Sequence, residues 1–517
     1  MESQSTQHSI PESTETLNEG MDSSLVTPSE LFGWYSYGIA AEGYSVLAVS
    51  VFFPIILQSL TAQQAVERNN HSIPCNTTGA YMCDILIFGI PVDTSALVLY
   101  ATTVSVFLQF ILFVTLGSLA DYGSLRKRYL LICGILSGIL GMCMLLIFNE
   151  SLYWLAFLVY ISSNTLFGAS CCFYYAYVPI LTRFSKEVFD SEHNPSILEE
   201  EKQLISDRVC NEISSVAIYY SSLVATLQLL LGSIFVVLFG SGKKWGLPDT
   251  YPMCICIAAI SVWQIAIILI YTKKYLKPRP GPPLPEGQNY ILFSIKILAK
   301  TITEAKKLPE LFKFLIGWFL YADGFTTVCS VSVLFAQSQL GASPLILLIS
   351  AVIVPFAAAF GTIAWVKFQQ RYRLATTTIL TIHSLLYSVL PIFGLVGFFT
   401  ESVGMHHQYE LPFLALYHGL LLGATQSSCR VLFSELLPQG CESEFFGLYE
   451  ISDKGSTWVG PLIVALITQI TGNVRWAFLF LLFLFAIPTM VFSSINIAKA
   501  KQDAKAYNAE HKLLVST

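Results

Sequence analysis

Residues 117–128 have the sequence GSLADYGSLRKR, a short polar stretch between two long apolar segments. Gly117 permits close contact between helices, and Asp121 ends the first apolar segment where its charge can face the N-terminus of a neighbouring helix. The basic residues that begin at Arg126 can pair with carboxylates in another part of the chain. This pattern predicts two membrane-spanning helices joined by a gate, whose charged contacts form in one state and break in another. The alternative is an ordinary basic loop at the cytosolic face of a membrane protein.

The composition of the whole chain predicts a membrane protein. Of its 517 residues, 54% are hydrophobic and 12% are charged, and that charged share is about half the value typical of soluble proteins. Because such a chain lacks the polar groups to cover its surface, much of the surface must face lipid. A helix needs about 20 apolar residues to cross the hydrocarbon core. The segments that meet this need are 34–60, 95–117, 129–148, 152–180, 213–240, 252–272, 311–336, 343–366, 374–399, 411–433, 444–470 and 474–497.

The distribution of Lys and Arg predicts the orientation, because basic residues concentrate in cytosolic loops. With the N-terminus in the cytosol, the loops on that side and the C-terminal tail carry most of the basic residues. The opposite side then carries only Arg68, Lys243, Lys244 and Arg475. Both termini are therefore expected in the cytosol.

The chain divides near its middle at residues 277–287, KPRPGPPLPEG, where prolines prevent a continuous helix. Residues 290–307 then alternate an apolar face with lysines, which predicts a helix in the membrane interface or, alternatively, a solvated connector helix. The sequence thus predicts an all-α membrane protein of twelve transmembrane helices in two six-helix lobes. Its parts are a disordered cytosolic tail (1–30), an N-terminal lobe (31–275) with a loop at 61–94, a cytosolic linker with the interfacial helix (276–310), a C-terminal lobe (311–497) and a cytosolic tail (498–517).

An internal similarity supports the division into two lobes. The sequence GWYSY (33–37) opens span one and GWFLY (317–321) lies in span seven, and an acidic residue follows each. Ionisable groups deep in a membrane span are costly and are therefore functional candidates. We expect the two carboxyls to share a central cavity, where they bind a substrate amine or exchange a proton; a neutral or locally paired carboxyl is the alternative for each. The candidates for substrate binding are Glu42, Asp323, Tyr37 and Tyr321.

Four further charged residues lie in or near spans ten and eleven. Arg430 is near the cytosolic end of span ten, beside Glu435, so we expect gate pairing or extension toward the membrane surface rather than substrate contact. Asp453 and Lys454 are adjacent and are expected to form an intramembrane ion pair. The gating candidates are Asp121, Arg126, Arg430 and Glu435.

Several motifs of enzymes and pumps are missing from the sequence. It has no G-x-x-x-x-G-K-[ST] phosphate loop, no G-x-S-x-G elbow and no H-E-x-x-H zinc motif. Because no CxxC pair or His cluster occurs either, neither a metal nor another cofactor is expected. The net charge of −5 offers no basic face to nucleic acid. A secondary transporter in the lipid bilayer is therefore favoured over a membrane enzyme of lipid metabolism, which would need convergent His, Asp or Cys groups at one membrane face.

Five segments carry a resemblance to a known family: GWYSYGIAAEGYSVLAVS (33–50), HSIPC (71–75), PVDTSALVLYA (91–101), FLIGWFLYADGFTTV (314–328) and RVLFSELLPQGCESEFFGLYEISDKGSTWVGP (430–461). They resemble the fungal autophagy-related vacuolar amino-acid effluxers, a branch of the major facilitator superfamily. The stretch 117–128 likewise resembles the signature loop of that superfamily, but places Gly123 two rather than three residues after Asp121. The resemblance implies export of neutral amino acids (leucine, isoleucine, tyrosine) from the vacuole lumen to the cytosol after autophagic protein breakdown, by alternating access.

In a vacuolar membrane the loop 61–94 would be luminal. Cys75 and Cys83 are the only cysteines in a polar, non-cytosolic segment. Because the secretory route is oxidising, we expect them to be bonded to each other. Asn70 and Asn76 begin N-x-[ST] signals and are predicted glycosylation sites.

The sequence leaves the mode of energy coupling and two other functions open. Span four contains no Arg, which proton-coupled facilitators often carry there, so protons as a second substrate remain undecided. The alternatives to amino-acid export are a facilitator for another small solute, such as a sugar or peptide, and a non-transporting receptor on the same fold.

Overall fold

The computed structural model describes residues 24–67, 70–75, 83–87, 90–281, 307–338, 340, 344–401, 403–439, 441–457, 459–471 and 473–515. Residues 1–23, Asn76 and 282–306 lie outside the described residues. With them lie most of the predicted N-terminal tail, one glycosylation signal and the predicted interfacial helix. The described chain is mostly helical.

The N-terminal lobe begins inside the segment predicted as a disordered tail. Thr27 caps the first helix, because its Oγ1 accepts a hydrogen bond from the Glu30 amide at 3.3 Å, and Pro28 occupies the first helical position. The first helix continues through a π-helical segment, Tyr44–Phe52, into the second. The helices of this lobe are α1 Pro28–Gly43, α2 Phe53–Gln64, α3 Thr94–Ala120, α4 Leu125–Met142, α5 Tyr153–Tyr175, α6 Tyr177–Arg183, α7 Lys186–Glu192, α8 Glu199–Phe239, α9 Tyr251–Ile267 and α10 Lys273–Tyr275.

The C-terminal lobe follows after the linker and ends in an amphipathic helix. Its helices are α11 Pro309–Ser338, α12 Pro344–Tyr372, α13 Thr376–Tyr387, α14 Val389–Val396, α15 Glu410–Leu436, α16 Glu442–Ser456, α17 Val459–Thr471, α18 Ala477–Ser493 and α19 Ile497–Val515. Helix α19 covers the segment predicted as a C-terminal tail, and it packs on α11 and α15.

Every predicted membrane span coincides with helix. In the described part of the chain, nine helical stretches are long and apolar enough to cross a membrane. Helices also occupy the other three predicted spans, as α11, as α15 and as α16 with α17. The full count of twelve spans and the cytosolic position of both termini stay predictions.

The expectation of a purely helical protein is wrong in one place. The loop between α2 and α3 contains a four-stranded sheet of order β2-β1-β3-β4, with neighbouring strands antiparallel. The missed signal is the pair of short β-branched runs at Cys83–Ile87 and Ile90–Asp93, which only two residues separate, as in a hairpin. The strands are β1 Val66–Glu67, β2 Asn70–Pro74, β3 Cys83–Ile87 and β4 Ile90–Asp93.

The two glycines of the repeated motif occupy equivalent places in the two lobes. A Cβ added at Gly33 would lie 2.5 Å from the backbone nitrogen of Leu276, just after the helix of span six. A Cβ added at Gly317 would lie 2.9 Å from the Phe492 ring, at the end of span twelve. Glycine is required at both positions because helices approach so closely there. The matching contacts support the internal repeat.

The lobes meet where α3 and α5 pack on α16, and where α8 packs on α12 and α15. The described hydrogen bonds between the lobes cluster toward one end of the bundle, which also carries Arg126, Arg183 and residues 24–30. We call it the basic end. The sequence predicts that it faces the cytosol, and the β-sheet follows α2 at the opposite end.

Candidate transport site and gate

Asp121 at the basic end binds the N-terminus of a helix in the other lobe. Its Oδ1 accepts a hydrogen bond from the Ser443 amide at 2.9 Å, and its Oδ2 accepts one from the Glu444 amide at 3.0 Å. These amides belong to the first turn of α16, whose N–H groups have no partners within the helix. The Arg126 guanidinium donates to Asp121 Oδ1 at 2.6 Å. Both charged side chains are about 95% buried.

Arg126 extends the contact to a carboxylate of the other lobe. Its Nε donates to Ser443 Oγ at 2.9 Å, and its Nη2 lies 3.5 Å from Glu442 Oε2. Arg183 approaches the other oxygen of Glu442 at 3.1 Å. The helices pack closely at Gly117, but a Cβ there would lie 3.5 Å from the Ser443 carbonyl oxygen, an ordinary van der Waals distance that leaves room for alanine. The basic end is therefore closed by a buried network of two cations and two carboxylates.

Deeper in the bundle, charges of opposite sign face each other across the lobes. Glu42, at the end of α1, is half-buried. The cations whose charges act on its carboxyl are Arg430 on α15 and Lys454 on α16. The sequence predicts that Arg430 pairs in a gate or extends toward the membrane surface, and that Lys454 pairs with Asp453. The structure places both cations, from the C-terminal lobe, within electrostatic range of Glu42.

Arg430 is held against the N-terminal lobe by an aromatic residue. Its Nη2 donates to the Tyr175 hydroxyl at 3.0 Å, and its guanidinium carbon lies 4.0 Å from the centre of the Tyr175 ring. The same nitrogen donates to Gln426 at 3.4 Å. The Nε of Arg430 is buried and has no hydrogen-bond partner among the described residues. A buried, charged donor without a partner is costly, so this atom is a candidate contact for an anionic ligand.

Asp453 and Lys454 form the ion pair that the sequence predicts, at 3.0 Å. The Lys454 side chain is 45% exposed although α16 packs against α3 and α5 of one lobe and α11 of the other. Glu450, one helical turn earlier, is 2% exposed and interacts with both Lys454 and Arg430. The exposed lysine therefore faces the space between the lobes, where Glu42 lies.

The other three predicted binding residues do not reach this space. Asp323 is 2% exposed and accepts hydrogen bonds from the Gly460 amide at 3.0 Å and Thr327 Oγ1 at 3.3 Å. It therefore caps the start of α17 within its own lobe. Tyr37 is buried in the core of the N-terminal lobe beside Tyr174. Tyr321 is equally buried in the other lobe. The structure therefore does not place these three residues in one cavity with Glu42.

Arg430 and Glu435, expected as gating residues, do not pair with each other. The reason is geometric, because five residues along a helix turn the side chains about 140° apart. Arg430 contacts Tyr175 of the N-terminal lobe. In contrast, Glu435 Oε1 accepts a hydrogen bond from Thr376 Oγ1 at 3.1 Å. Because this angle follows from the sequence spacing alone, the sequence already argues against an ion pair between Arg430 and Glu435.

Cys75 follows strand β2 and is disulfide-bonded. The side chain of Cys83 lies outside the described residues, so its bond to Cys75 stays a prediction. The side chain of Asn70 lies outside the described residues, so both glycosylation signals stay predictions.

Sequence reasoning missed Glu442, Arg183, Tyr175 and Glu450 as members of the gate and the central site. Glu442 carried a usable signal, since an acidic residue in the first turn of a helix is a common partner for basic loops. Glu450 carried one too, because it is an ionisable residue inside the predicted span 444–470. Tyr175 carried none, because its position depends on how α5 rotates against the other lobe.

The comparisons with known proteins concern nearly the whole chain. Residues 26–505 match a family model described as "Vacuole effluxer Atg22 like". Autophagy-related protein 22 of Coccidioides immitis is 30% identical over 548 residues, which cover 94% of this chain and 89% of that protein. Autophagy-related protein 22-1 of Penicillium rubens is 29% identical over 572 residues, 95% of this chain and 94% of that one.

The fold also matches a solved transporter. The structure of the major facilitator superfamily proton:xylose symporter XylE superposes with a TM-score of 0.60 over 93% of this chain and 100% of that chain, at 13% identity. At this identity the likeness shows the fold alone. It is the major facilitator fold that the sequence predicts.

Proposed function

The chain belongs to the Atg22-like vacuole effluxer family, and from that premise we propose that it exports neutral amino acids from the vacuole lumen to the cytosol after autophagic protein breakdown. The family and the fold are those of membrane transporters and not of enzymes. Beyond the family and the fold, we propose the substrates (leucine, isoleucine and tyrosine among them), the location in the vacuolar membrane and the mechanism of alternating access.

The observation that carries the proposal is the opposition of charges across the lobes. A neutral amino acid has an ammonium and a carboxylate, and neither enters a protein interior without a partner. The Glu42 carboxylate on the N-terminal lobe suits the ammonium. Arg430, with its unpartnered Nε, and Lys454 suit the carboxylate from the C-terminal lobe. A zwitterion of this size therefore bridges both lobes.

Alternating access follows from the position of this site behind a closed basic end. In the state described, Asp121 and Arg126 join the lobes between the site and the predicted cytosol. Export requires those contacts to break after the substrate binds, while the opposite end closes. Rocking of two lobes about a central site is the usual mechanism for this type of fold.

Efflux of labelled leucine from proteoliposomes tests the site, with two leucine analogues as competitors. 4-Methylpentanoate lacks the amino group and leucinamide lacks the carboxylate. In Glu42→Gln the affinity for leucine is expected to fall about 10- to 100-fold, from the loss of one charge-assisted contact. Competition by 4-methylpentanoate should be unchanged, because that analogue has no ammonium that the Glu42 carboxylate could bind.

Arg430→Gln should show the converse pattern, with weakened leucine binding and unchanged competition by leucinamide. Asp323→Asn is the matched control, because its carboxyl lies within the C-terminal lobe and caps α17. It is expected to change thermal stability but not discrimination between the analogues. Wild-type affinity and discrimination in both Glu42→Gln and Arg430→Gln would refute the zwitterion site.

The same assay separates the alternatives. Transport of a sugar or peptide with no leucine flux would identify a facilitator for another solute. Leucine binding without any flux would indicate a receptor on the transporter fold.

A further inference from the structure

A second pair of acidic residues joins the lobes at the basic end, apart from the gate around Asp121. Asp207 on α8 and Glu435 on α15 interact directly through their carboxyls, and Glu435 Oε2 is buried without a hydrogen-bond donor among the described residues. Asp207 is 9% exposed. Ionised carboxylates are acceptors only, so two of them can share a hydrogen bond only when one carries a proton.

The groups that face this pair come from α8 itself and from two further elements. On α8, Gln203 Nε2 donates to Asp207 Oδ1 at 2.9 Å, and Cys210 lies within electrostatic range of both carboxyls. On α13, Thr376 donates to Glu435. On the C-terminal helix α19, Lys501 acts on both carboxyls and donates to Gln203.

The charges in this cluster balance only with a bound proton. Two ionised carboxyls beside the single ammonium of Lys501 would leave a net charge of −1 in a buried place. One shared proton brings the sum to zero and supplies the donor that the contact between Asp207 and Glu435 needs. Two like charges in contact cannot both stay ionised without strong repulsion.

We propose that Asp207 and Glu435 form a proton-binding site between the lobes, which holds one proton while the basic end is closed and releases it when the lobes separate. Separation gives each carboxyl its own access to water, where it ionises near pH 4. Opening is thereby linked to proton release. The inference does not rest on the identity of the substrate.

The sign of the resulting pH dependence follows from this linkage. Because the closed state binds one proton more than the open state, low pH stabilises the closed state. Raising the pH on the basic side favours opening, by at most tenfold per pH unit for one proton. Acidification of the predicted cytosolic side would therefore hold the transporter closed.

Cys210 provides a native reporter of opening. It is 3% exposed in the closed state and lies three residues after Asp207 on the same helix. The experiment uses the full chain in lipid nanodiscs without any amino acid, and follows thiol modification of Cys210 by mass mapping from pH 5.5 to 8.5. The absence of substrate keeps the result independent of the proposed function.

Glu435→Gln and Asp207→Asn are the two test variants, since each amide can donate the hydrogen bond without a proton that titrates. Because both carboxyls also act on the Cys210 thiol, the reagent is used at a saturating concentration, where opening and not thiol ionisation limits the rate. The measured quantity is the labelling rate of the wild type relative to each variant. This ratio is expected to rise with pH, by up to tenfold per unit. A ratio that is independent of pH for both variants would overturn the proposal.

Lys501→Met distinguishes a proton site from a purely structural contact. Removing the ammonium favours the protonated pair, so the midpoint of the labelling profile is expected to move to higher pH. If Lys501 only held α19 in place, the extent of labelling would change and the midpoint would stay, and this result would also count against the proposal.

Discussion

Replacing Asp121 by Asn tests whether the contact between the loop after α3 and the start of α16 holds the basic end closed. The carboxylate accepts three hydrogen bonds, from Arg126 at 2.6 Å and from the Ser443 and Glu444 amides at 2.9 and 3.0 Å. Asparagine has the same shape but only one acceptor oxygen. Its amide nitrogen must therefore face either the guanidinium or a backbone N–H, each of which is a donor.

The magnitude follows from the burial of this contact. Removing one partner of a buried ion pair costs about 3–5 kcal/mol. Glu442 stays 3.5 Å from Arg126 and still compensates part of its charge, so we expect a loss of about 2–3 kcal/mol, within the range for hydrogen bonds to charged groups. At about 1.4 kcal/mol per factor of ten, the ratio of open to closed molecules should rise about 30- to 150-fold.

Cys172 allows this shift to be measured without an added probe site. Its side chain is fully buried, and its Sγ lies 3.7 Å from the Ser443 carbonyl oxygen, directly behind the gate. Alkylation of Cys172, followed by mass spectrometry, should be faster in Asp121→Asn by the same factor. Leucine efflux should fall, because the state closed toward the cytosol is no longer maintained.

The matched control is Glu187→Gln. Glu187 pairs with Arg208 at the same end of the molecule, but both side chains are more than half exposed. Exposed pairs contribute about 0–1 kcal/mol, so alkylation of Cys172 should change less than about fivefold. A folded Asp121→Asn protein that alkylates at the wild-type rate would show that this contact is not a gate.

Two further predictions concern the opposite end and the C-terminal lobe. Peptide mapping without reduction should recover Cys75 linked to Cys83, and recovery of both as free thiols would contradict the pairing. Gly460→Ala should lower the free energy of unfolding by a few kcal/mol, because its Cβ would overlap Thr327 Oγ1 and lie 2.7 Å from the Asp323 carboxylate. An unchanged free energy of unfolding would show that the start of α17 has room for a methyl group beside Asp323.

The spans and the loop at Asp121 could be predicted because their signals are local. Apolar length alone places helices in a bilayer, and the wrong expectation of a purely helical chain arose in a short polar loop, where this signal is weak. The prediction that Asp121 faces a helix N-terminus needed only an anion at the end of a helix and a free helix end nearby. The structure supplies that end as the first turn of α16.

The roles of Glu42 and Asp323 could not be separated from the sequence, because both are acidic residues at similar depth after similar motifs. The difference between them is tertiary. Asp323 lies beside the break between α16 and α17, and its carboxylate accepts a hydrogen bond from Gly460 there. Glu42 lies where α15 and α16 of the other lobe present Arg430 and Lys454. Which neighbour each carboxyl meets depends on helix rotation, and hydrophobic pattern does not specify rotation to this accuracy.

Helix α16 explains how the central site and the gate can act together. Its first turn, at Ser443, is held by Asp121 of the opposite lobe, and Lys454 lies eleven residues later, about 16 Å along the same helix. In the proposed mechanism, α16 moves as a rigid unit, and a substrate carboxylate that attracts Lys454 toward Glu42 also shifts the turn that Asp121 caps. At the other end, Asp323 accepts a hydrogen bond from the Gly460 amide in the first turn of α17. The charges of the proposed substrate site and the charges that join the lobes at the basic end are therefore connected by one helix, so the proposed site is linked to the proposed gate without any intermediate element.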